Sequence, residues 1–303
     1  MAQHVFVTDD LRIESGYRQM AEIRSMKAGE LDQLIRWAGD EGWGPGLNDA
    51  ECFWKLDPEG FLAMYEQGDL IGGGAIIRHS NAFGFMGLFI VDQAHRGKGL
   101  GKQLWFARRD RLLSRLQDGG TIGLDGVDEM VPFYAKGGFQ QQTRHRRFQL
   151  NQNPVARPRS SDVFDLSSVD FAEVADFDSR CFPAERKAFL ANWISQSGAH
   201  ALAVATHDKL SGFGVMRPCL GGWKIGPLFA DSVIGADQLL QAFQLEQDGK
   251  PLYLDVPDAN PAAQSLCHKY QMDEVFGCVR MYHGPVPVLD HDCIFGVTTL
   301  EVG

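Results

Sequence analysis

The chain has 303 residues, a length that suggests two domains of ordinary size. Its hydrophobic content of 44% and charged content of 22% are typical of a soluble globular protein, and its net charge of −10 argues against nucleic-acid binding. No apolar run is long enough to cross a membrane, and the first residues show no secretory signal, so we expect a cytoplasmic protein with no membrane partner. The six cysteines include no Cys-x-x-Cys pair, which predicts reduced thiols and no metal site.

The pattern of the first 150 residues predicts alternating helices and strands. Residues 1–20 are polar and are interpreted as an edge strand or a loose arm. Apolar residues at helical spacing predict the first helices, and alternating or continuous apolar runs predict the strands. The predicted helices are 30–38, 49–55 and a short one within 131–139; the predicted strands are 60–65, 70–78, 83–91, 121–125 and 146–150.

A glycine-rich turn follows the strand at 83–91 and opens another helix. Gly97, Gly99 and Gly101 leave no Cβ at alternate positions, so backbone N–H groups can converge on one point. The helix adds its own unpaired N–H groups and the positive end of its dipole. The turn therefore predicts a phosphate or pyrophosphate site. The arginines that follow, Arg108, Arg109, Arg111 and Arg115, are interpreted as a solvated helix face from which some could reach an outer phosphate.

Two common phosphate motifs fit this turn poorly. A P-loop requires one more residue between its glycines and a hydroxyl where Gln103 stands, and a Rossmann fingerprint has a different glycine spacing. The run Arg96-Gly97-Lys98-Gly99-Leu100-Gly101 instead resembles the acyl-CoA signature Arg/Gln-x-x-Gly-x-Gly/Ala of the GNAT N-acetyltransferase superfamily. The hydrophobic strand before it fits the same family.

The resemblance implies acetyl-CoA as co-substrate, with its thioester between two splayed strands and the backbone N–H of Ile90 polarising the carbonyl. Gly87 would allow close approach of the substrate or a bulge. Residues 131–139 resemble a second GNAT element, whose tyrosine, here Tyr134, donates a proton to the departing thiolate. The implied cofactor-binding residues are Leu88, Ile90, Val91, Arg96, Gly97, Lys98, Gly99, Leu100, Gly101 and Lys102.

Beyond a proline-punctuated linker at 151–161, the pattern of the first half repeats. The repeated elements are a hairpin over 200–216, a strand at 223–231, a helix over 237–245, a strand at 251–256 and an element at 260–272. We therefore expect an α+β fold with a mixed sheet, built from two GNAT-like domains in tandem. The predicted domains are residues 1–153, which bind acetyl-CoA and catalyse, and residues 154–303, which are degenerate and serve the substrate pocket or the structure.

The second copy lacks both functional motifs. Between Asp231 and Leu239 its only glycine is Gly235, and Asp237 would repel a phosphate beside it. Cys267 aligns with Tyr134. These two losses predict that acetyl-CoA binds the first domain alone.

The general base is left open by the sequence. Many GNAT enzymes carry a glutamate on the strand before the phosphate turn, where this chain has only apolar residues. The candidates are Asp125, Asp128 and Glu129 at the end of the next strand, a water relay, or an amine that arrives deprotonated.

Two functions remain at this point. The first is transfer of an acetyl group from acetyl-CoA to a primary amine of a small molecule or peptide, by direct transfer and without a metal. The alternative is a CoA-binding sensor or regulatory module without turnover. Residues 151–303 carry a net charge of −8, which favours a cationic acceptor only weakly. The oligomeric state is not indicated.

Overall fold

The computed structural model describes residues 21–151 and 160–303. The predicted arm at 1–20, most of the predicted linker and the domain boundary between residues 153 and 154 lie outside the described residues, so the boundary stays a prediction. We call residues 21–151 the first half and residues 160–303 the second half.

The first half contains six strands and four α-helices within its described residues. They are β1 (Glu22–Ser25), α1 (Ala28–Asp40), α2 (Asp49–Leu56), β2 (Phe61–Glu66), β3 (Asp69–Arg78), β4 (Phe83–Val91), α3 (Leu100–Leu113), β5 (Thr121–Gly126), α4 (Val131–Lys136) and β6 (Gln140–Leu150). Every helix and strand predicted here from residue 30 onward is confirmed. The main difference is that β6 begins at Gln140 rather than at residue 146.

The second half repeats this order with additions. Its elements are β7 (Val163–Asp165), α5 (Phe171–Cys181), α6 (Lys187–Ile194), β8 (His200–Thr206), β9 (Lys209–Cys219), β10 (Gly222–Ala230), α7 (Val233–Glu246), β11 (Leu252–Pro257), α8 (Pro261–Lys269), β12 (Asp273–His283) and β13 (Ile294–Gly296). The repeated hairpin, strands and helices are confirmed, although α7 begins four residues before the predicted helix. The sequence pattern did not predict β7, α5, α6, β12 or β13.

All strands of the described residues belong to one sheet, and the two halves exchange their last long strands. The strand order is β1-β2-β3-β4-β5-β12-β6-β11-β10-β9-β8-β7, with β13 beside β10. Strand β12 of the second half thus pairs with β5 of the first, and β6 of the first half pairs with β11 of the second. The fold is the expected mixed α/β tandem, but its halves are interlocked rather than linked end to end.

Two buried ion pairs cross this exchange at equivalent positions. Arg280 on β12 holds Asp125 on β5, with its Nε and Nη2 at 2.7 and 2.8 Å from the two carboxylate oxygens. Arg147 on β6 holds Asp255 on β11 in the same way, at 2.7 and 2.9 Å. Bidentate pairing offsets the cost of burying these charges. Each pair therefore fixes the register of a donated strand against its new neighbour.

Helices cover both faces of the sheet. On one face, α3 and α4 pack over β4 and β5, while α7 and α8 pack over β10 and β11. On the other face, α1, α2 and α6 share one apolar core. Among the helices of the described residues, none combines the length and apolarity needed to cross a bilayer.

Candidate active site

The gap between β4 and β5, which we call the first slot, is where the sheet of the first half opens. The two strands pair in parallel only from Phe83–Met86 against Thr121–Leu124 and then diverge. A cavity of about 410 Å³ lies at this gap. Most of the predicted site residues line it: Leu88, Ile90, Val91, Arg96, Gly101, Lys102 and Tyr134. The predicted Gly97, Lys98 and Gly99 lie in the turn between β4 and α3, and the predicted Leu100 is the first residue of α3.

Strand β4 bulges where it leaves β5. Ala75 of β3 pairs with Gly87, and Gly73 pairs with Ile90, so Gly74 opposes two residues of β4. Leu88, the first of these two, has a φ of 49°, which is rare for a residue with a branched side chain. Of the two possibilities that the sequence allowed at Gly87, the bulge is confirmed directly after it, at Leu88 and Phe89, and the next residue, Ile90, lines the cavity.

Arg108 of α3 holds this bulge from behind. Its Nη2 donates to the carbonyl oxygens of Ala75, at 2.7 Å, and of Gly87, at 2.5 Å. Its Nε and Nη1 are buried and have no hydrogen-bond partner among the described residues. Burial lowers the pKa of Arg108 to about 10, so the guanidinium stays charged at neutral pH. The interpretation of Arg108 as part of a solvated helix face was wrong, because the side chain is fully buried against the strand bulge.

The turn before α3 presents backbone rather than side chains. Gly97 and Gly99 have φ values of 77° and 82°, which favour glycine. Gly99 is the N-cap of α3, and no side chain of the described residues caps that helix. The Arg96 guanidinium is already paired within the chain, since its Nε donates to the Val91 carbonyl at 2.8 Å and its Nη2 pairs with Glu41. The N–H groups of the first turn can therefore bind an anion, with the exposed Lys98 and Lys102 beside them.

Tyr134 of α4 lies on the cavity wall and is 7% exposed. Its ring packs against Trp105 of α3, with centroids 4.8 Å apart. Burial raises the pKa of Tyr134 to about 12, although Arg108 opposes the shift. The phenol therefore keeps its proton at neutral pH and can act as a donor.

The three carboxylates suggested as general base are placed differently from one another. Asp125 lines the cavity, but Arg280 holds both of its oxygens. Burial would raise the pKa of Asp125, yet Arg280 and His145 more than offset it, so its pKa lies well below the usual range. Asp128 is exposed and pairs with Arg144 at 2.6 Å. Glu129 is exposed as well. Both oxygens of Asp125 are therefore committed to the ion pair with Arg280. Neither Asp128 nor Glu129 lines the cavity.

Asp125 also belongs to a group with His145 and Cys278, whose potential ligand atoms all lie within 4.8 Å of one another. Both Asp125 oxygens already accept hydrogen bonds from Arg280. Burial and the neighbouring aspartates raise the pKa of Cys278 well above its ordinary value. These contacts describe a salt bridge beside a protonated thiol and fit poorly with a metal centre.

The second half completes the far wall of the cavity. Phe276 and Cys278 of β12 line it, together with Leu300 and Glu301 beyond β13. The wall is joined to the α1–α2 loop at Trp43, whose carbonyl accepts hydrogen bonds from Arg147 and, at 3.2 Å, from Lys224. The sequence did not indicate the four lining residues of the second half. The two on β12 reach the cavity through strand exchange, and the two beyond β13 lie in a short segment without periodicity.

The equivalent gap in the second half, between β10 and β11, is the second slot, and it is filled. These strands pair only from Trp223–Ile225 against Leu252–Leu254 and then diverge. Strand β13 enters the gap and pairs with β10, while the N–H of Val297 donates to the backbone carbonyl of Asp255 on β11 at 2.9 Å. The following helix is capped by its own chain, since the Ser232 hydroxyl accepts from the N–H of Gly235.

Cys267, which aligns with Tyr134, is fully buried in the apolar core under α7 and α8. All six cysteines lie in the described part of the chain, and each is buried and forms no disulfide there.

Comparisons with known proteins agree with this geometry. Two different models of the acetyltransferase (GNAT) domain match the chain, one over residues 53–150 and the other over residues 174–296. A holothin acyltransferase of Pseudoalteromonas sp. (strain SANK 73390) is 28% identical over 277 residues, covering 90% of this chain and 92% of that protein. An uncharacterized N-acetyltransferase, YitH, of Bacillus subtilis (strain 168) is 25% identical over 246 residues, covering 78% and 82%.

Solved structures share the architecture. A putative acetyltransferase from Pyrococcus horikoshii superposes with a TM-score of 0.80 at 24% identity, covering 99% of this chain and 100% of the other. A tandem GNAT protein from the clavulanic acid biosynthesis pathway gives a TM-score of 0.62 at 13% identity, covering 88% and 100%. At these identities the likeness concerns the fold. Because GNAT domain models match both halves, the chain belongs to the GNAT superfamily of acyltransferases, with two GNAT domains in tandem.

Proposed function

We propose that the first half transfers an acetyl group from acetyl-CoA directly to a primary amine of a small molecule or peptide, and that the second half is non-catalytic. The observation that carries this proposal is the contrast between the slots. The first is a cavity that also holds Tyr134, and the second is occupied by β13.

The donor fits the first slot along its length. The cavity volume of about 410 Å³ suits a slender pantetheine arm, and Leu88, Val91 and Leu124 give it apolar walls. The uncapped first turn of α3 would bind the phosphates, and the N–H of Ile90 would face the thioester carbonyl. Tyr134 would donate its proton to the sulfur as the carbon–sulfur bond breaks.

The acceptor would enter between the two halves. Trp43 from the first half and Phe276 from the second line that part of the cavity, and the Arg147 guanidinium lies 5.3 Å from the Phe276 ring centre. Aromatic walls suit an amine attached to an apolar or planar body. The similar protein of Pseudoalteromonas is named a holothin acyltransferase, so holothin belongs among the acceptors to be tried.

A thiol-release assay with acetyl-CoA, longer acyl-CoAs and a panel of amines tests the proposal. We expect amine-dependent release by the wild type. Tyr134→Phe should lower turnover about 10²-fold or more, the usual scale for a positioned proton donor, with CoA affinity nearly unchanged. Tyr253→Phe, on β11 of the second half, is the matched control and should behave as wild type.

Two outcomes would count against this function. Calorimetric binding of acetyl-CoA with no thiol release for any amine would favour the sensor alternative. Wild-type turnover by Tyr134→Phe would remove the tyrosine from the reaction.

The pH profile gives an independent check on Tyr134. Because its pKa is raised to about 12, the protonated form persists to higher pH than for an ordinary tyrosine. Turnover should therefore not fall between pH 7 and about 10 through loss of this proton. An alkaline limb with its midpoint near 10 that is lost in Tyr134→Phe would contradict the raised pKa of Tyr134.

A further inference from the structure

An amine acceptor brings a proton that some group must remove. Alkylamines have a pKa of about 10, so at neutral pH they arrive as ammonium ions that cannot attack a carbonyl. The two carboxylates that line the cavity besides Asp125 are Glu41 and Glu301. Glu41 pairs with Arg96, beside the phosphate turn. Glu301 lies at the other wall.

Glu301 reaches the cavity through a segment that touches both slots in turn. After β13, the chain passes Gly226, where an added Cβ would lie 2.3 Å from the carbonyl oxygen of Thr298. It then passes Gly87, where an added Cβ would lie 1.8 Å from the carbonyl oxygen of Glu301. Both positions therefore require glycine for close approach of this segment.

Gly87 and Gly226 hold the same place in the two halves. Each directly follows the last residue of its strand that pairs with the parallel neighbour. That residue is Met86 on β4, beside β5, and Ile225 on β10, beside β11. The contact at Gly87 thus positions Glu301 at the point where the first slot opens, beside the bulge that carries Ile90.

The surroundings of Glu301 hold its side chain in place. The residue is 3% exposed, and its carboxylate accepts a hydrogen bond from the Thr299 hydroxyl, which itself accepts from the N–H of Glu301. Nζ of Lys224 lies 3.8 Å from Oε1. Arg147 is nearby but is already paired with Asp255. Hydrogen bonds and a nearby cation of this kind offset the cost of burying a carboxylate.

We propose that Glu301 is the proton acceptor for the amine, a catalytic residue that the second half supplies to the first. The inference rests on the proposed function. Glu301 takes the proton from the acceptor nitrogen, whose lone pair then forms the carbon–nitrogen bond at the thioester carbonyl. The carbon–sulfur bond breaks, its electron pair stays on sulfur, and Tyr134 protonates the thiolate. The nitrogen gives up a second proton as the amide forms, and this proton returns to the Tyr134 phenolate. The amide and free CoA then leave with one proton on Glu301, which solvent removes.

Glu301→Gln tests the assignment, since it keeps the shape and removes the basic oxygen. We expect turnover of a basic alkylamine to fall about 10²-fold or more, with acetyl-CoA affinity by calorimetry nearly unchanged. The deficit should shrink for a weakly basic arylamine, which arrives neutral at pH 7. A purely structural role would lower turnover of both acceptors by the same factor.

Two further variants complete the test. Glu274→Gln, on β12 but outside the cavity and paired with Arg146 at 2.9 Å, should behave as wild type. Glu301→Asp keeps the charge beside Lys224, so it should fold even if Glu301→Gln does not, and should lose activity with the same dependence on acceptor basicity. Wild-type turnover in either Glu301 variant, or a deficit equal for both acceptors, would overturn the proposal. If the wild type itself releases no thiol with any amine, the proposed function fails instead.

Discussion

The first and second slots begin from the same geometry and end in opposite states. In each half, two parallel strands pair for three or four residues and then separate, and a helix follows the first of them. In the first half the gap is a cavity, and α3 begins at Gly99 with no side-chain cap among the described residues. In the second half, β13 fills the gap and Ser232 caps α7. One short strand and one side-chain cap thus distinguish the filled slot of the second half from the open slot of the first, which is the slot proposed to bind acetyl-CoA.

The largest effect should come from separating the halves. A chain ending at residue 153 leaves the β5 edge unpaired and deprives β6 of both its partners, β11 and β12. Exposed strand edges promote aggregation, so we expect no soluble, cooperatively unfolding product. Solubility and a thermal melt followed by circular dichroism provide the measurement.

Co-expression of residues 1–153 with residues 154–303 is the control for that truncation. The two pieces should reassemble, because the exchanged strands β6 and β12 form most of the contacts between the two halves. A soluble and active 1–153 fragment made alone would show that the interlocked sheet is dispensable.

A smaller effect is expected from breaking the two equivalent ion pairs. Asp125→Asn and Asp255→Asn each leave a buried arginine without its counter-charge, which should cost about 3–5 kcal/mol of unfolding free energy. Burial opposes ionisation of both carboxylates, but their arginines outweigh it and lower both pKa values. This stabilisation is therefore complete above the unfolded pKa of about 4 and declines as pH falls below it.

Urea unfolding at pH 7 and at about pH 2.5, well below the unfolded pKa, measures this contribution. The variants should lose less stability than the wild type on acidification. The two variants should differ in acyl-CoA affinity. Because Asp125 lines the cavity and Asp255 does not, only Asp125→Asn should change that affinity. Equal effects of both variants on affinity would show that the slots are coupled.

The smallest effect concerns the turns before the two helices. Gly99→Ala places a side chain at a φ of 82°, which costs about 1–2 kcal/mol and should weaken acetyl-CoA binding roughly tenfold. Gly235→Ala, in the first turn of α7, is the control and should leave affinity unchanged. Calorimetry should find one site per chain. Two sites, or equal losses in both variants, would mean that the second half binds the donor too.

Individual helices, strands and turns of this fold could be predicted from the sequence because the pattern of each lies within the element itself. Strand β4, the turn at residues 96–101 and the helix of Tyr134 carry their pattern within a few residues, and each is where the sequence predicts it. Strand exchange leaves no local signal, because the sequence pattern of β6 would be the same whichever half it paired with. One signal was present, since Leu124-Asp125 and Leu254-Asp255 repeat at the ends of equivalent strands, facing Arg280 and Arg147.

The residues that the sequence did not indicate share a different cause. Glu301 is a single acid in an aperiodic segment, indistinguishable in sequence from a surface residue. Strand β13 has three residues, too few for a period. Arg108 lies in a run of arginines, and only the carbonyls freed by the β4 bulge explain its burial.

The exchange of β6 and β12 also sets an order on the making of this protein. Strand β5 ends at residue 126 and its partner β12 begins at residue 273, so the ribosome must translate the intervening chain before that edge can be covered. At about 5–20 residues per second this takes on the order of ten seconds or more. Glu301 is translated later still. A nascent chain therefore has an unprotected strand edge and an unfinished cleft for about half of its synthesis, and it should depend on chaperones during that interval more than a single GNAT domain would.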